Sequence, residues 1–260
     1  MADRIAKAAM IENFSKYASS YDKYTDVQNE AVGMLVKILP KDGVAKILEI
    51  GCGTGNYTAL LKKTFECARI KAIDISAPMV RLARQKVNDE KILFEVGDAE
   101  EIDLGGEYDL VTSNAVFHWL NDLEGIIGKA ERSLRKGGLL VFSAFGPKTF
   151  VELKGSLTSV AGGNISITPD FFPKRAEIEN TLRKFFKTVK ITERLIRESH
   201  ASLRDLLKKI KYSGTRGRRT DVRKIWSPDL LNKIEREYVL RFGSIEATYQ
   251  VFFCEALKCE

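Results

Sequence analysis

Histidine is scarce in this 260-residue chain, which has two, and cysteine is little commoner, with four. Cys52, Cys67, Cys254 and Cys259 form no Cys-x-x-Cys pair, and His118 and His200 lie far from each of them in sequence. The ligand spacing of a zinc site is therefore missing, no metal is expected, and the thiols read as reduced and structural. No run approaches the roughly 18 uninterrupted apolar residues of a membrane-spanning helix. The opening Met1-Ala2-Asp3-Arg4-Ile5-Ala6-Lys7 leads into a mixed polar helix without the apolar centre of a secretory signal, so a soluble cytoplasmic protein is expected. With 44% hydrophobic and 9% aromatic residues, disordered and collagen-like chains are excluded and a real core can form. No internal repeat or low-complexity tract is evident.

Charge is present in quantity and unevenly placed. The chain carries net +7, from net −2 over residues 1–146 and net +9 over residues 147–260. Between Thr181 and Lys224, 15 basic residues face four acidic ones, Glu193, Glu198, Asp205 and Asp221. A patch of this kind suits nucleic acid, an acidic membrane face or an acidic protein, or is a solvated helix face.

Residues 4–20 and Val27 to Leu39 have helical periodicity, and Pro40-Lys41-Asp42-Gly43 ends the second helix. Five apolar runs follow, at Ala45–Ile50, Ile70–Ile75, Ile92–Val96, Tyr108–Thr112 and Leu139–Phe145. Helical segments at Tyr57–Phe65, Ala77–Val87 and Leu123–Leu134 separate most of them, which implies a parallel sheet covered on both faces. Later come a helix at Ala176–Phe186, a strand at Thr188–Glu198, a basic helix from Ser202 to Tyr212, a loop at Ser213–Thr220, a helix at Pro228–Arg241 and a strand at Thr248–Ala256. Two late strands beside five parallel ones give seven. Gly146 to Pro173 and residues 201–243 read as additions at one edge.

The most informative segment is Glu49-Ile50-Gly51-Cys52-Gly53-Thr54-Gly55-Asn56-Tyr57-Thr58, between a predicted strand and a predicted helix. Its glycines allow a tight turn and close approach of a ligand, and the helix beyond offers unpaired N–H groups to negative charge. A tight strand-to-helix turn alone also accounts for such glycines. The spacing is not the dinucleotide fingerprint, because Asn56 stands where its third glycine belongs, and no Gly-Lys-Ser/Thr follows as in a P-loop. What remains is a loop for a nucleoside-bearing ligand without a pyrophosphate. Asp74 ends the next strand, 19 residues after Gly55, where a carboxylate accepts ribose hydroxyls or simply forms a turn before Ser76 and Pro78. Asp98 follows the third strand in Val96-Gly97-Asp98-Ala99-Glu100, where it accepts an exocyclic amine or makes an ordinary turn. All three features lie at carboxyl ends of strands, where open α/β sheets bind ligands.

In this combination the sequence resembles the class I S-adenosylmethionine-dependent methyltransferases over residues 45–145. Glu49–Thr58 is similar to the first family motif, Asp74 to the ribose carboxylate, Asp98-Ala99 to the adenine-contacting pair, and Leu134-Arg135-Lys136-Gly137-Gly138 to the turn into the fifth strand. The resemblance implies a Rossmann-like α/β fold, seven strands in the order 3-2-1-4-5-7-6, mostly parallel, with helices on both faces and a helical insertion before the last strand. A narrower resemblance, to the malonyl-acyl carrier protein O-methyltransferases of biotin synthesis, rests on five further stretches. They are Phe14-Ser15-Lys16-Tyr17-Ala18-Ser19-Ser20-Tyr21-Asp22 with Gln28 after it, Ser113-Asn114-Ala115-Val116-Phe117-His118-Trp119, Phe145-Gly146-Pro147-Lys148-Thr149-Phe150-Val151-Glu152-Leu153, Ser202 to Thr215, and Ala247-Thr248-Tyr249-Gln250-Val251-Phe252-Phe253.

That resemblance implies an N-terminal lid over residues 1–40, a cofactor core over 41–146, and substrate-side segments with the last two strands over 147–260. It implies S-adenosylmethionine, leaving as S-adenosylhomocysteine, held by Tyr17, Tyr21, Glu49, Gly51, Cys52, Gly53, Gly55, Asp74, Ile75, Met79, Asp98, Ala99, Asn114 and Phe117. The acceptor is the free carboxylate of malonyl-acyl carrier protein or malonyl-CoA. An ionised carboxylate needs no general base, so His118 is read as orienting the substrate or filling the pocket. A cation is expected to grip the carboxylate, with Lys148, Arg175, Lys211 and Arg216 as the choices. Carrier proteins are acidic, which gives the 181–224 patch a partner. A trans-aconitate-type carboxylate methyltransferase shares the core. A nucleic-acid enzyme lacks support, since Ser113-Asn114-Ala115-Val116 replaces the Asn/Asp-Pro-Pro-aromatic motif of base-amine methylation. A non-catalytic binding module is set against the intact glycines, Asp74 and Asp98.

Overall fold

The computed structural model describes residues 2–163, 165–213 and 227–259, with side chains from Lys7 onward. The strands are β1 (Lys46–Ile50), β2 (Arg69–Asp74), β3 (Ile92–Val96), β4 (Tyr108–Ser113), β5 (Leu134–Phe145), β6 (Thr188–His200) and β7 (Ile245–Leu257). They form one sheet in the order β3-β2-β1-β4-β5-β7-β6, the order that the family resemblance implies. β7 runs antiparallel to both its neighbours, and the pairings among β1 to β5 are all parallel.

Alternation along the strands divides the core in two. Ile47, Leu110, Val141, Val251 and Phe253 face one layer, while Leu48, Val111, Phe142, Phe252 and Cys254 face the other. Helices α2 (Asp26–Val36), α3 (Asn56–Thr64) and α4 (Ala77–Lys86) cover the first face, through residues such as Leu35, Leu61 and Ala83. Helices α5 (Leu123–Ser133) and α7 (Arg175–Phe185) cover the second, through Ile126, Ile127, Ile178 and Leu182. The long helix α1 (Ala2–Tyr21) lies outside both layers, against α4 and the carboxyl edge of the sheet.

Among the departures from expectation, two boundaries and one added helix have identifiable reasons. The second helix stops at Val36, and Lys37, Ile38 and Leu39 continue in tighter turns, their N–H groups reaching three residues back. β5 begins five residues earlier than its apolar run, because Leu134 pairs with Tyr108 before a register shift and Gly137 and Gly138 bond to Lys258. The glycine-rich stretch after β5 contains a helix, α6 (Val151–Ala161), that the sequence reading leaves irregular. Gly155 looks like a breaker, but it lies within the helix facing Phe242 and Arg241 of α9 (Pro228–Phe242), where a Cβ would make only ordinary contact, and Arg241 donates to its carbonyl at 3.0 Å.

The insertion between β6 and β7 holds α8 (Leu203–Tyr212) and α9; the expected loop at 213–220 lies outside the described residues after Ser213. Lys209 of α8 is buried and ion-pairs with Glu198 of β6 and, at 2.8 Å, with Asp26 at the start of α2. His200 and Tyr249 also converge on Glu198, each at 3.4 Å. One cluster thus ties the insertion to the N-terminal region. Among the described residues, no helix is long and apolar enough to cross a membrane, and no group of three His, Cys, Asp or Glu side chains is placed to hold a metal ion.

Candidate active site

β1 runs directly into the glycine loop. Gly51, Gly53 and Gly55 all have positive φ, +77°, +53° and +85°, a region that side chains resist. A Cβ on Gly51 would stand 2.2 Å from Val116 Cγ2, and one on Gly55 3.0 Å from the backbone of Ala83, whereas above Gly53 there is open space. The loop is pinned by Asp74, whose Oδ2 accepts the Gly53 N–H and whose Oδ1 accepts the Ser76 N–H, both at 2.8 Å. Burial raises the Asp74 carboxyl, and those two N–H groups work against the rise.

Beneath the loop, Glu49 is fully buried. Thr58 donates to its Oε2 at 2.6 Å, and Oε1 has no partner. Burial pushes this carboxyl up to about 8, opposed by the Thr58 hydrogen bond and reinforced by Asp74. A buried polar atom without a partner is uncommon.

The glycine loop borders a cleft that is partly open to solvent, with about 750 Å³ of empty space when that open part is counted. Its floor is Ile50, Gly51, Gly53, Ile73 and Asp74; its walls are Ile75, Met79, Gly97, Asp98 and Ala99 on one side and Asn114, Ala115, Val116, Trp119 and Leu120 on the other. Its roof is α1, through Lys7, Met10, Phe14 and Tyr21. A smaller compartment under the roof is lined by Tyr21, Gln28, Cys52, Gly53 and Asn114. Asn114 is held firmly, accepting from Ser143 Oγ at 2.7 Å and donating to the Gln28 carbonyl at 3.2 Å.

Polar latches tie the roof to three loops. Lys7 ion-pairs with Asp98 and, at 2.6 Å, with Glu100. The Ser15 and Ser76 hydroxyls meet at 2.9 Å. Asp22, on the 3₁₀ turn Asp22–Tyr24, accepts from Thr54 at 2.5 Å and pairs with Lys86 at 2.6 Å. Phe14 sets its edge against Tyr21 and Trp119, at 6.1 and 6.0 Å between ring centres.

Most of the residues named from sequence converge on this cleft, and a few do not. Tyr21, Gly51, Gly53, Asp74, Ile75, Met79, Asp98, Ala99 and Asn114 line it, Cys52 lines the smaller compartment, and Glu49 and Gly55 support the loop from behind. Tyr17 points elsewhere: its ring meets Tyr212 of α8 at 4.9 Å, with the Lys211 ammonium over both rings. Phe117 is stacked on Phe142 in the core at 4.1 Å.

His118 lies on the 3₁₀ turn Phe117–Trp119, boxed by Trp119, Phe145 and Phe172. Lys148 is exposed and pairs with Glu193 at 3.4 Å. Arg175 donates to the Ile191 carbonyl on the far face of the sheet. Arg216 lies outside the described residues, as do Arg218 and Arg219. Sequence reasoning missed Lys7, Met10, Phe14, Val116, Trp119 and Leu120. The signal available for Met10 and Phe14 was their spacing of four on the predicted N-terminal helix, which places them on one face.

The basic segment resolves into pieces. Lys209 is buried, and Arg183, Lys184 and Lys190 pair with Glu179, Glu124 and Glu255. Lys187, Arg194, Arg197, Arg204 and Lys208 are exposed, spread from the end of α7 through β6 to α8.

Residues 48–142 match the family model described as a methyltransferase domain. Among solved structures, the YcgJ protein of Bacillus subtilis superimposes with a TM-score of 0.63 at 14% identity, over 89% of this chain and 99% of that one. Phosphoethanolamine N-methyltransferase 2 of Haemonchus contortus, solved with S-adenosyl-L-methionine, does so with a TM-score of 0.58 at 17% identity, over 94% of this chain and 57% of that one. At such identities the likeness speaks for the fold. The sequence relatives are much nearer. The malonyl-[acyl-carrier protein] O-methyltransferase of Acetivibrio thermocellus is 34% identical over 98% of this chain and 95% of its own length, and that of Bacillus cytotoxicus 33% identical over 98% and 93%. Identity above 30% over nearly the whole of both chains places this one in the malonyl-[acyl-carrier protein] O-methyltransferase family of S-adenosylmethionine-dependent enzymes.

Proposed function

We propose that the chain methylates the free carboxylate of a malonyl thioester, carried by acyl carrier protein or by coenzyme A. The observation that carries this reading is the extent of the family likeness, which includes the substrate-side segments as well as the cofactor core. When bound, S-adenosylmethionine supplies a methyl on a positively charged sulfur; an O–CH₃ bond forms as the S–CH₃ bond breaks, its electron pair goes to sulfur, and no proton moves. The malonyl carboxylate is ionised at neutral pH, so the chain needs no general base. Its task is to align and to exclude water.

The lining suits that cofactor. Asp74 has lone pairs to spare for the ribose hydroxyls, and Asp98 accepts the adenine amine between the apolar sides of Ile75, Met79, Ala99 and Leu120. Lys7 must then release Asp98, and Glu100 keeps a charge partner for it. The unpartnered Glu49 oxygen faces the cofactor's amine, and Phe14, Tyr21 and Trp119 keep water out. This reading divides the chain into a lid (1–40), a cofactor core (41–146) and substrate-side segments (147–260).

Glu49 gives the cofactor arrangement a test with a definite sign. Its carboxyl is raised to about 8 in the unliganded fold, so it is largely protonated near pH 7. Its contribution to stability is therefore present below the unfolded value and lost as pH rises toward about 8. A cationic amine beside it favours the carboxylate, so S-adenosylhomocysteine binding should release close to one proton near pH 7 and few above about pH 9. Calorimetry in buffers of different ionisation enthalpy reads this directly. Glu49→Gln should abolish the release; an unchanged release would remove Glu49 from the site.

The exposed cations of β6 and α8 supply a face for an acidic carrier; Arg216, Arg218 and Arg219 lie outside the described residues. Charge reversal at Arg204 and Lys208 should slow methylation of malonyl-acyl carrier protein severalfold at low salt, leave malonyl-CoA turnover unchanged, and lose its effect near 0.5 M salt, where the Debye length is only a few Å. Equal effects on both thioesters would remove the docking role.

A further inference from the structure

His118 is a buried donor without an acceptor. Its ring is 6% exposed, and its Nδ1 accepts the Phe145 backbone N–H at 3.2 Å, which leaves the ring proton on Nε2. Nε2 has no hydrogen-bond partner among the described residues. Trp119, Phe145 and Phe172 box the ring at 5.0, 4.8 and 4.6 Å between centres, and none of them titrates. Burial lowers the imidazole to about 3, so it is neutral throughout the working range. Two residues that line the cleft, Val116 and Trp119, lie beside this histidine in sequence, and Trp119 is shared between cleft and box.

The cations show the complementary lack. Among the described residues lining the cleft, Lys7 alone is basic, and it is held by Asp98 and Glu100 at the adenine end. Lys148, Arg175 and Lys211 are engaged elsewhere, as described above. A fixed cation on the acceptor is also poorly suited to the chemistry. The carboxylate loses its negative charge as the ester forms, so a cation stabilises the ground state more than the transition state and raises the barrier. A neutral donor on one oxygen positions the group and leaves the other oxygen free to attack.

We infer that the Nε2–H of His118 holds one oxygen of the acceptor carboxylate, so that a neutral hydrogen bond, and not an arginine or lysine, positions the malonyl head. The inference rests on the malonyl thioester being the acceptor. Nε2 is sealed from solvent and His118 does not itself line the cleft, so the carboxylate reaches it by displacing Trp119, the member of the box that also lines the cleft.

The test uses His118→Phe and His118→Leu, which lack the donor, and His118→Gln, which keeps one. S-adenosylhomocysteine affinity should be unchanged in the donorless pair, while the melting temperature should fall modestly, because both variants also leave the Phe145 N–H without the acceptor that His118 Nδ1 supplies. In the dead-end complex with S-adenosylhomocysteine, malonyl-acyl carrier protein should bind at least about tenfold more weakly, as expected for a lost hydrogen bond to a charged group. Acetyl-acyl carrier protein, which has no carboxylate, should bind all variants alike. His118→Gln should recover most of the affinity and KM, and the wild-type rate at saturating S-adenosylmethionine, where the Glu49 proton is already released, should be flat from about pH 5.5 to 8, because nothing in the box ionises there. Wild-type malonyl affinity in both donorless variants, or equal weakening of malonyl and acetyl carriers, would overturn the inference. Failure of the wild type to methylate either malonyl thioester would instead overturn the reading of the acceptor.

Discussion

Asp74→Ala is expected to weaken S-adenosylhomocysteine binding at least about hundredfold, with the chain still folded. The carboxylate accepts the Gly53 and Ser76 N–H groups, one on each oxygen, and so fixes the loops after β1 and β2 relative to one another. Each charge-assisted bond of this kind is worth roughly 1.5–3 kcal/mol, and a factor of ten in affinity corresponds to about 1.4 kcal/mol. Losing the loop geometry and the ligand's hydroxyl partner together therefore exceeds two factors of ten. Asp74→Asn should be nearly as damaging despite its shape, because its amide NH₂ would face one of two backbone donors. Calorimetry measures both variants; near-native affinity in the asparagine variant would mean that the loop is held by its glycines alone.

Glu198→Ala should cost about 2–4 kcal/mol of folding stability, read from denaturant midpoints at constant slope. Removing one member of a buried pair typically costs about 3–5 kcal/mol, because the other charge stays behind. Asp26 remains as a second partner for Lys209 and offsets part of that. Burial alone would raise the Glu198 carboxyl, but the His200 and Lys209 hydrogen bonds override it and hold the carboxyl below its ordinary value. Its contribution is thus present above the unfolded value and lost as pH falls through the lowered folded one. The double variant Glu198→Leu with Lys209→Met should recover most of the loss, since an apolar pair leaves no orphaned charge. If Glu198→Ala costs less than 1 kcal/mol, this cluster is no bolt between insertion and lid.

The sheet was readable because each strand carries an unambiguous local pattern, and Ile92–Val96 has the same ends in sequence and structure. The loop was readable because its glycines are demanded by positive φ and by Val116 and Ala83, constraints that leave a trace in composition. α6 was hidden because the glycines in and after it read as breakers, whereas the packing that holds the helix is against α9, a helix distant in sequence. The roof was half legible. Tyr21 lies on the cleft as expected, but Tyr17, four residues earlier, is turned toward Tyr212 by a contact with an insertion almost 200 residues away. Lys7 could not be assigned, because a lysine near a helix start is ordinary until its partners, Asp98 and Glu100, are brought opposite it. The substrate side was the least legible: the expected cation turned out to be four separate residues, three engaged away from the cleft and one outside the described residues, while the unpartnered donor was a histidine.

The central claim is that this chain is a carboxyl methyltransferase acting on a malonyl thioester. Incubation with S-adenosylmethionine followed by intact-mass measurement of the carrier protein tests it most directly. Malonyl-acyl carrier protein should gain the mass of one methylene, base treatment should remove the gain as expected of an ester, and acetyl-acyl carrier protein should gain nothing. No gain on malonyl-acyl carrier protein or malonyl-CoA, with methylation of trans-aconitate or of a nucleic acid under the same conditions, would contradict the account.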